Sequence, residues 1–241
     1  MSLRQQRVTV IGGTSGIGFA VAERALAEGA HVVVGSSSPG KVDAALAKLA
    51  GAQARPIDVT DEASVARFFD GIGAFDHLVF TAGDWGQFLS PAAIDDLDIA
   101  RAKDLFAVRF WGAVAAVKHA RRHLRGDGSI TLTDGTVAHR PRKGAPISTA
   151  MAGGIEHLVR ALAVELAPIR VNGVCPGAVR TDIWNAIPEA QREDRFKKMT
   201  ERQLVRRIGE PAEVAEAYLY LMRGGYTTGQ VLRVDGGATV V

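Results

Sequence analysis

The sequence predicts an α/β fold in which a doubly wound parallel sheet of about seven strands carries helices on both faces. Short strand-like runs alternate with amphipathic helical segments along all 241 residues. No internal repeat or low-complexity linker interrupts this alternation. Because regular β-α alternation places successive strands parallel in one sheet, we expect a single domain over residues 1–241.

A glycine-rich turn after the first strand is the feature around which the rest of the chain is arranged. A β-branched run at 8–11 stops at glycine, and an Ala-rich helical pattern follows at 19–28. Glycine permits a sharp turn and a close approach of the backbone to a ligand. The unpaired N–H groups and the positive end of the helix dipole favour a pyrophosphate at this place. The residues expected around it are Gly12, Thr14, Ser15, Gly16, Ile17 and Gly18.

The remaining elements follow from hydrophobic periodicity. Strands are predicted at 31–35, 53–57, 76–80, 129–133, 169–174 and 230–234. Helices are predicted at 41–50, 61–72, 97–124 and 147–166, with Thr60 as the expected cap of the second of them. The stretch 181–207 lies outside the alternation and is rich in Arg and Lys. We expect it to be helical and to lie over the carboxyl ends of the strands, where ligands bind.

Composition excludes several classes of function. The formal net charge of +3 is small, and no basic run is interleaved with aromatic residues, so no nucleic-acid partner is expected. The single cysteine, Cys175, excludes an internal disulfide and a cysteine-rich zinc site, and no metal site is predicted. We expect its thiol to be buried. No apolar run approaches the ~20 residues of a membrane span, and the first residues do not form a signal peptide. A cytoplasmic protein with a small-molecule substrate is the expectation.

Taken together, these motifs resemble the short-chain dehydrogenase/reductase family from Val8 to Gly237. Beyond the glycine-rich turn, the resemblance includes Arg170-Val171-Asn172 and the closing stretch Val234-Asp235-Gly236-Gly237. It implies a Rossmann-type fold that binds a nicotinamide dinucleotide, with Asp58 and Val59 at the adenine and Thr181 at the nicotinamide carboxamide. The positions that the resemblance assigns to the cofactor beyond the turn are Asp58, Val59, Thr81, Ala82, Gly83, Pro176, Gly177, Val179 and Thr181.

The end of the second strand indicates which nucleotide is bound. NAD enzymes place an acid there, which accepts hydrogen bonds from the ribose hydroxyls and repels a 2′-phosphate. This sequence has Ser36, Ser37 and Ser38 in that place, with Lys41 nearby. Three hydroxyl donors and an ammonium suit a phosphate, so NADP(H) is predicted over NAD(H). The alternative is a serine-rich turn that only links strand to helix.

The resemblance fails at the usual catalytic residues of the family, which are a serine, a Tyr-xxx-Lys pair on one helical face and an asparagine. Counting back from 163–166 places Ser148 at the tyrosine and Ala152 at the lysine. The serine position falls near Asp134-Gly135, and Arg109 takes the place of the asparagine. If a hydride is transferred, another group must therefore deliver the proton.

Ser148, Asp134 and Arg109 are the predicted catalytic residues, and each has a structural alternative. Asp134 could belong to an Asp-Gly turn, Ser148 could cap a helix, and Arg109 could form a structural salt bridge. Further candidates are His139, Arg140, Arg142 and Lys143, in a basic run that could equally be a solvated loop, and Asp84 and Trp85, which could line the substrate cleft or belong to the core or rim.

The leading function is an NADP(H)-dependent oxidoreductase that acts on a small carbonyl, enone or alcohol through an altered proton-delivery site. One alternative is a non-catalytic NADP(H)-binding sensor or scaffold, because all four usual residues are replaced. Another is an elimination or isomerisation without net redox change. The resemblance also implies a homo-oligomer, a dimer or tetramer, formed through the long helices and the tail at 231–241.

Overall fold

The fold is a seven-stranded parallel sheet with helices on both faces, as predicted. The computed structural model describes residues 2–83 and 93–241. The strands are β1 Arg7–Ile11, β2 His31–Ser36, β3 Gln53–Pro56, β4 Phe75–Phe80, β5 Leu124–Thr133, β6 Arg170–Pro176 and β7 Val231–Val234. They lie in the order β3-β2-β1-β4-β5-β6-β7, and the chain order therefore reverses between β1 and β4.

Helices cover both faces of the sheet and bury it. The described α-helices are α1 Gly16–Ala27, α2 Pro39–Leu46, α3 Glu62–Ile72, α4 Ile99–Phe106, α5 Gly112–Ala120, α6 Pro146–Glu165, α7 Glu189–Thr200 and α8 Pro211–Arg223. One face packs on α3, α5 and α6, and the other on α1, α2 and α8. Because both faces are covered, the central strands β1, β4 and β6 are buried along most of their length. None of the described helices combines the length and apolarity needed to cross a bilayer.

Strand register brings the loops that follow the central strands to one edge. Ile11 of β1 pairs with Gly35 of β2 and with Phe80 of β4. Phe80 pairs with Leu132 of β5, which pairs with Gly173 of β6. The segments that leave these strands therefore start side by side, at the point where ligands bind in open parallel sheets.

The helix predicted at 97–124 is interrupted and shorter than predicted. A π-helical segment at Ala107–Trp111 separates α4 from α5. Leu124 is the first residue of β5, because it pairs with Phe75 of β4, whose N–H donates to the His123 carbonyl at 3.0 Å. The prediction of helix through Leu124 was wrong, since pairing with a distant strand overrides the local pattern.

The predicted cap of α3 was also wrong. Asp61 caps this helix, and its Oδ1 accepts from the Ala63 N–H at 2.9 Å. Thr60 instead donates its N–H and hydroxyl to Asp58. Asp61 is one residue closer to the helix, and its carboxylate satisfies the free N–H group.

The last third of the chain contains one predicted and one unpredicted helical region. The segment 181–207 is helical in part, with a short 3₁₀ turn at Asp182–Ala186 followed by α7. The sequence analysis did not identify α8, although Pro211 at its first turn and a capping box between Glu210 and Glu213 mark its start.

Candidate active site

A cavity of about 1000 Å³ opens at the carboxyl edge of the sheet. Residues that follow β1 to β6 line it, together with Trp184, Met199 and Gln203 from the segment 181–207. Its volume lies at the upper end of the range for small-molecule sites. The predicted ligand edge of the sheet and the cavity therefore coincide.

The glycine-rich turn forms one end of the cavity. Gly12 has φ +87°, and a Cβ on it would lie 2.6 Å from the Ala82 nitrogen, so only glycine fits. Gly16 begins α1, and no acidic side chain neutralises the positive end of this helix in its first turn. All six residues predicted to surround a pyrophosphate line the cavity. This arrangement fits a phosphate group.

The end of β2 offers two hydroxyl groups and one ammonium to the cavity. Ser36, Ser37 and Lys41 line it. Ser38 does not belong to the lining and has a different role, because it is the N-cap of α2 and its Oγ accepts from the Lys41 N–H at 3.4 Å. The predicted contact of Ser38 with the cofactor therefore has no support from the geometry.

Asp58 and Val59 line the same end of the cavity. The Asp58 carboxylate accepts from the Thr60 hydroxyl at 2.7 Å and from the Thr60 N–H at 2.9 Å. These hydrogen bonds hold the pKa of Asp58 below its ordinary value, because they stabilise the charged form. Asp58 is thus a fixed, ionised acceptor at this end.

The remaining predicted cofactor residues also line the cavity. The lining includes Thr81, Ala82, Gly83, Pro176, Gly177, Val179 and Thr181. Thr81 donates its hydroxyl to the Ile11 carbonyl at 3.1 Å, which ties the loop after β4 to the glycine-rich turn. Backbone, hydroxyls and one ammonium along a single cleft fit an extended dinucleotide.

Arg109 lies in the π-helical segment and lines the cavity. It is 5% exposed, and its guanidinium lies so close to Gly83 that any side chain there would collide with it. π-Helical turns inside helices are frequent at functional sites. The structure therefore brings a buried cation to the cavity, beside the loop that follows β4.

Asp134 follows β5 and belongs to a buried cluster between the sheet and α6. The cluster contains Asp134, His139, Glu156 and Cys175, which each present one donor atom within 4.8 Å of the others. His139 Nε2 is hydrogen-bonded to a carboxyl oxygen of Glu156. Neither carboxyl oxygen of Asp134 accepts from the described nitrogen and oxygen donors, although the residue is 2% exposed. Asp134 is also part of the cavity lining.

Burial shifts the protonation of this cluster. Loss of hydration, followed by the hydrogen bond and charge of Glu156, raises the pKa of Asp134 to about 8. Burial, and then Asp134 itself, raise the pKa of the Cys175 thiol well above its ordinary range. Asp134 is therefore largely a neutral acid at pH 7, able to donate a proton to Glu156 or to a ligand. Cys175 is a protonated, buried thiol, as the sequence predicts, and not a nucleophile.

The other catalytic candidates occupy different places. The Ser148 hydroxyl donates to the Ala145 carbonyl at 3.2 Å, in the first turn of α6, and Ser148 is not part of the cavity lining. This favours the local structural role for Ser148. Arg140 and Arg142 line the cavity, whereas His139 and Lys143 do not. Asp84 and Trp85 lie outside the described residues.

Tyr218 does not replace the tyrosine usual in the family. Its hydroxyl is hydrogen-bonded to Thr133 at 2.7 Å, in the core against α8. Burial raises the pKa of Tyr218, and the side chain lies on the opposite face of the sheet from α6.

Sequence reasoning missed Glu156, because it lies in an otherwise apolar stripe of α6. It follows Ala152 by four residues and Ile155 by one, and all three are buried. An acid at a core-facing position is the signal that could have identified it, since buried acids are rare unless paired. The convergence of Glu156, His139 and Cys175 depends on tertiary packing.

Comparison with known proteins agrees with this geometry. The family model described as enoyl-(acyl carrier protein) reductase matches residues 12–239. The short-chain dehydrogenase/reductase ucsE of an Acremonium species is 35% identical over 99% of this chain and 97% of its own. The cis-4-hydroxycyclohexanecarboxylate dehydrogenase of Sinomonas cyclohexanicum is 35% identical over 98% of both chains.

Solved structures give the same result. A small-chain dehydrogenase in complex with NADPH is 35% identical, with a TM-score of 0.84 over 98% of this chain and 100% of that one. The MalC reductase/Diels-Alderase of Malbranchea aurantiaca is 32% identical, with a TM-score of 0.90 over 99% and 97%. Fold, cavity and relatives agree: this chain belongs to the short-chain dehydrogenase/reductase family and is an oxidoreductase that binds a nicotinamide cofactor.

Proposed function

We propose that this protein is an NADP(H)-dependent reductase of small carbonyl or enone compounds, in which Asp134 supplies the proton. The observation that carries the proposal is Asp134 itself, a buried carboxyl that lines the cavity and whose pKa is raised by burial to about 8. We take the part of the cavity that Asp134 and Arg109 line as its reaction end. A general acid works best when its pKa lies near the working pH. In the reverse direction the same group accepts the proton of an alcohol.

NADP(H) is the proposed cofactor. Ser36, Ser37 and Lys41 at the end of β2 offer hydrogen bonds and a positive charge that a 2′-phosphate requires. The related small-chain dehydrogenase that was solved with NADPH is consistent with this choice. When bound, the cofactor supplies the hydride to the carbonyl or enone.

The proposed site departs from the four residues usual in the family. Ser148 and Ala152 take the places of tyrosine and lysine, Arg109 that of asparagine, and Asp134 lies near the serine position. Neither Ser148, which bonds to Ala145, nor the methyl group of Ala152 provides an acid with a suitable pKa. Asp134 therefore protonates the reduced oxygen or carbon, while Arg109 stabilises the negative charge that develops there.

We further propose that the preferred substrates carry an anionic group. Arg140 and Arg142 line the cavity. Partial burial, and then repulsion by the positive charge of Arg195, lower the pKa of Arg142. A carboxylate or phosphate on the substrate relieves this repulsion and forms charge-assisted hydrogen bonds.

Turnover of NADPH tests the proposed function. A panel of carbonyl and enone compounds, in matched pairs with and without a carboxylate, is incubated with NADPH, and loss of nicotinamide absorbance and product are followed together. We expect oxidation of NADPH with stoichiometric reduced product. Tight NADPH binding without oxidation across the panel favours the sensor or scaffold. Product without a change in absorbance favours elimination or isomerisation.

We also propose a homo-oligomer, dimer or tetramer. Val164 on α6 and Trp111 beside α5 are 83% and 61% exposed, and burying such apolar side chains favours association. Light scattering that gives the mass of one chain contradicts this proposal.

A further inference from the structure

Glu156 and His139 connect Asp134 to the protein surface. Glu156 on α6 is 6% exposed and its carboxyl faces Asp134. Its Oε1 is bonded to His139 Nε2, and the His139 side chain is 24% exposed. One end of this row borders the cavity, and the other end reaches solvent.

Each neighbour in the row can hand over a proton. One carboxyl oxygen of Asp134 and one of Glu156 lie within 4.8 Å of each other, and burial beside Glu156 raises the pKa of Asp134, so that a proton is held there near neutral pH. An imidazole exchanges protons with water at the same pH. Each of the three side chains in the row can therefore both accept and donate a proton.

We propose that Glu156 and His139 form a proton relay that returns a proton to Asp134 after each reduction. The relay rests on the proposed function, since it serves the acid of that reaction. Asp134 loses its proton to the reduced substrate, a proton from solvent then passes through His139 to Glu156, and Glu156 passes it on to Asp134. Each step moves one proton along an existing contact, and the cluster ends in its starting state.

Several elements that pack around the relay contribute charged or titratable groups. Arg160 lies one helical turn beyond Glu156, with its Nη2 3.8 Å from Oε2. Cys175 on β6 is a protonated thiol, and Asp235 after β7 contributes a further negative charge near it. Behind β5, the Tyr218 hydroxyl interacts electrostatically with Asp134. Arg160 therefore forms an ion pair with one carboxyl oxygen of Glu156, and the other oxygen is bonded to His139.

A structural ion pair between His139 and Glu156 explains their contact but not the position of Asp134. A buried acid without a described donor is costly unless it is protonated and bonded to its neighbour. The four donor types also suit a transition metal. A bound metal would displace the protons of Asp134 and Cys175, so the metal content of the purified protein distinguishes a metal site from a relay.

The relay is tested by comparing the first turnover with later ones. Glu156→Gln keeps the size and hydrogen bonds of the side chain but cannot pass a proton. Because Asp134 starts protonated, rapid mixing should show a first turnover of NADPH oxidation close to that of the wild type. Steady-state kcat should fall about 100-fold. Binding of NADPH, measured by calorimetry, should not change.

A second variant tests the relay independently, in case Glu156→Gln impairs folding. His139→Gln changes a partly exposed residue, should slow the steady state in the same way, and should regain activity with added imidazole. His157→Gln is the matched control on α6 and should turn over normally, because His157 is exposed and its ring is hydrogen-bonded to the Gly153 carbonyl.

Two results overturn the relay alone: wild-type steady-state rates in both Glu156→Gln and His139→Gln, or one equivalent of metal bound by the purified protein and lost in those variants. Wild-type protein that binds NADPH but reduces nothing overturns the proposed function and the relay with it.

Discussion

The two ends of the cavity are built in different ways. At the nucleotide end, Gly12 and Gly16 bring backbone and a helix terminus to the ligand, and the charged groups lie near solvent. At the reaction end, Asp134, Glu156 and Arg109 are all buried side chains from separate elements. The first end depends on local backbone geometry, whereas the second depends on how distant segments pack. Changes at one end should therefore leave the other intact.

The largest expected effect concerns the reaction end. Asp134→Asn keeps the shape of the side chain and removes the acid, so carbonyl reduction should fall at least about 1000-fold. NADPH affinity should stay within twofold, since Asp134 follows β5, two strands away from β1 and the glycine-rich turn. Steady-state kinetics measure the loss of carbonyl reduction, and calorimetry measures the affinity for NADPH. A variant that retains a tenth of the activity contradicts the assigned role.

The same substitution reports on stability. The folded protein holds a proton on Asp134 that the unfolded chain releases above its ordinary pKa of 3.8. The contribution of Asp134 to the free energy of unfolding is therefore greatest below its ordinary pKa and is lost as pH rises towards 8, with a total change of several kcal/mol. Asparagine cannot ionise, so Asp134→Asn should lose this part of the pH dependence in urea unfolding. An unchanged dependence contradicts the raised pKa.

The next largest effect concerns the nucleotide end. Gly12→Ala forces a side chain into a backbone with φ +87° and against the Ala82 nitrogen. Strain of about 3 kcal/mol should weaken NADPH binding about 100-fold. Gly40→Ala is the matched control, because a Cβ there meets no atom within 4 Å. If the two variants bind NADPH with equal affinity, the glycine-rich turn does not hold the cofactor as we propose.

A smaller effect should separate the two nucleotides. Lys41→Gln removes the ammonium at the end of β2 and should weaken NADPH binding about tenfold while NADH binding is unchanged. Lys48→Gln, outside the cavity lining, serves as the control. Equal dissociation constants of NADPH and NADH for the wild type contradict the preference.

The smallest effect concerns the substrate. Arg142→Gln should raise KM about fivefold for a carbonyl compound with a carboxylate and leave that of its neutral partner unchanged. Lys143→Gln is the control, since Lys143 does not line the cavity. An equal change in both KM values contradicts an anionic substrate.

The contrast between the two ends also explains what the sequence could predict. The glycine spacing and the serines after β2 are local patterns, and all residues predicted from them except Ser38 line the cavity. Asp134 and Arg109 were identified only because they stand at positions where the family resemblance fails. Glu156 was missed, because its role depends on Asp134 and His139 packing against α6. The end of the helix predicted at 97–124 was misplaced for the same reason, since Leu124 pairs with Phe75 of a distant strand.

The pH dependence of the first turnover tests most directly whether Asp134 is the acid. Rapid mixing of the NADPH-loaded wild type with a reducible carbonyl compound should give a rate that is constant below neutral pH. It should fall about tenfold per unit above a midpoint near pH 8, as Asp134 loses its proton. A rate that stays constant to pH 10, or one that rises with pH in this range, would contradict the account.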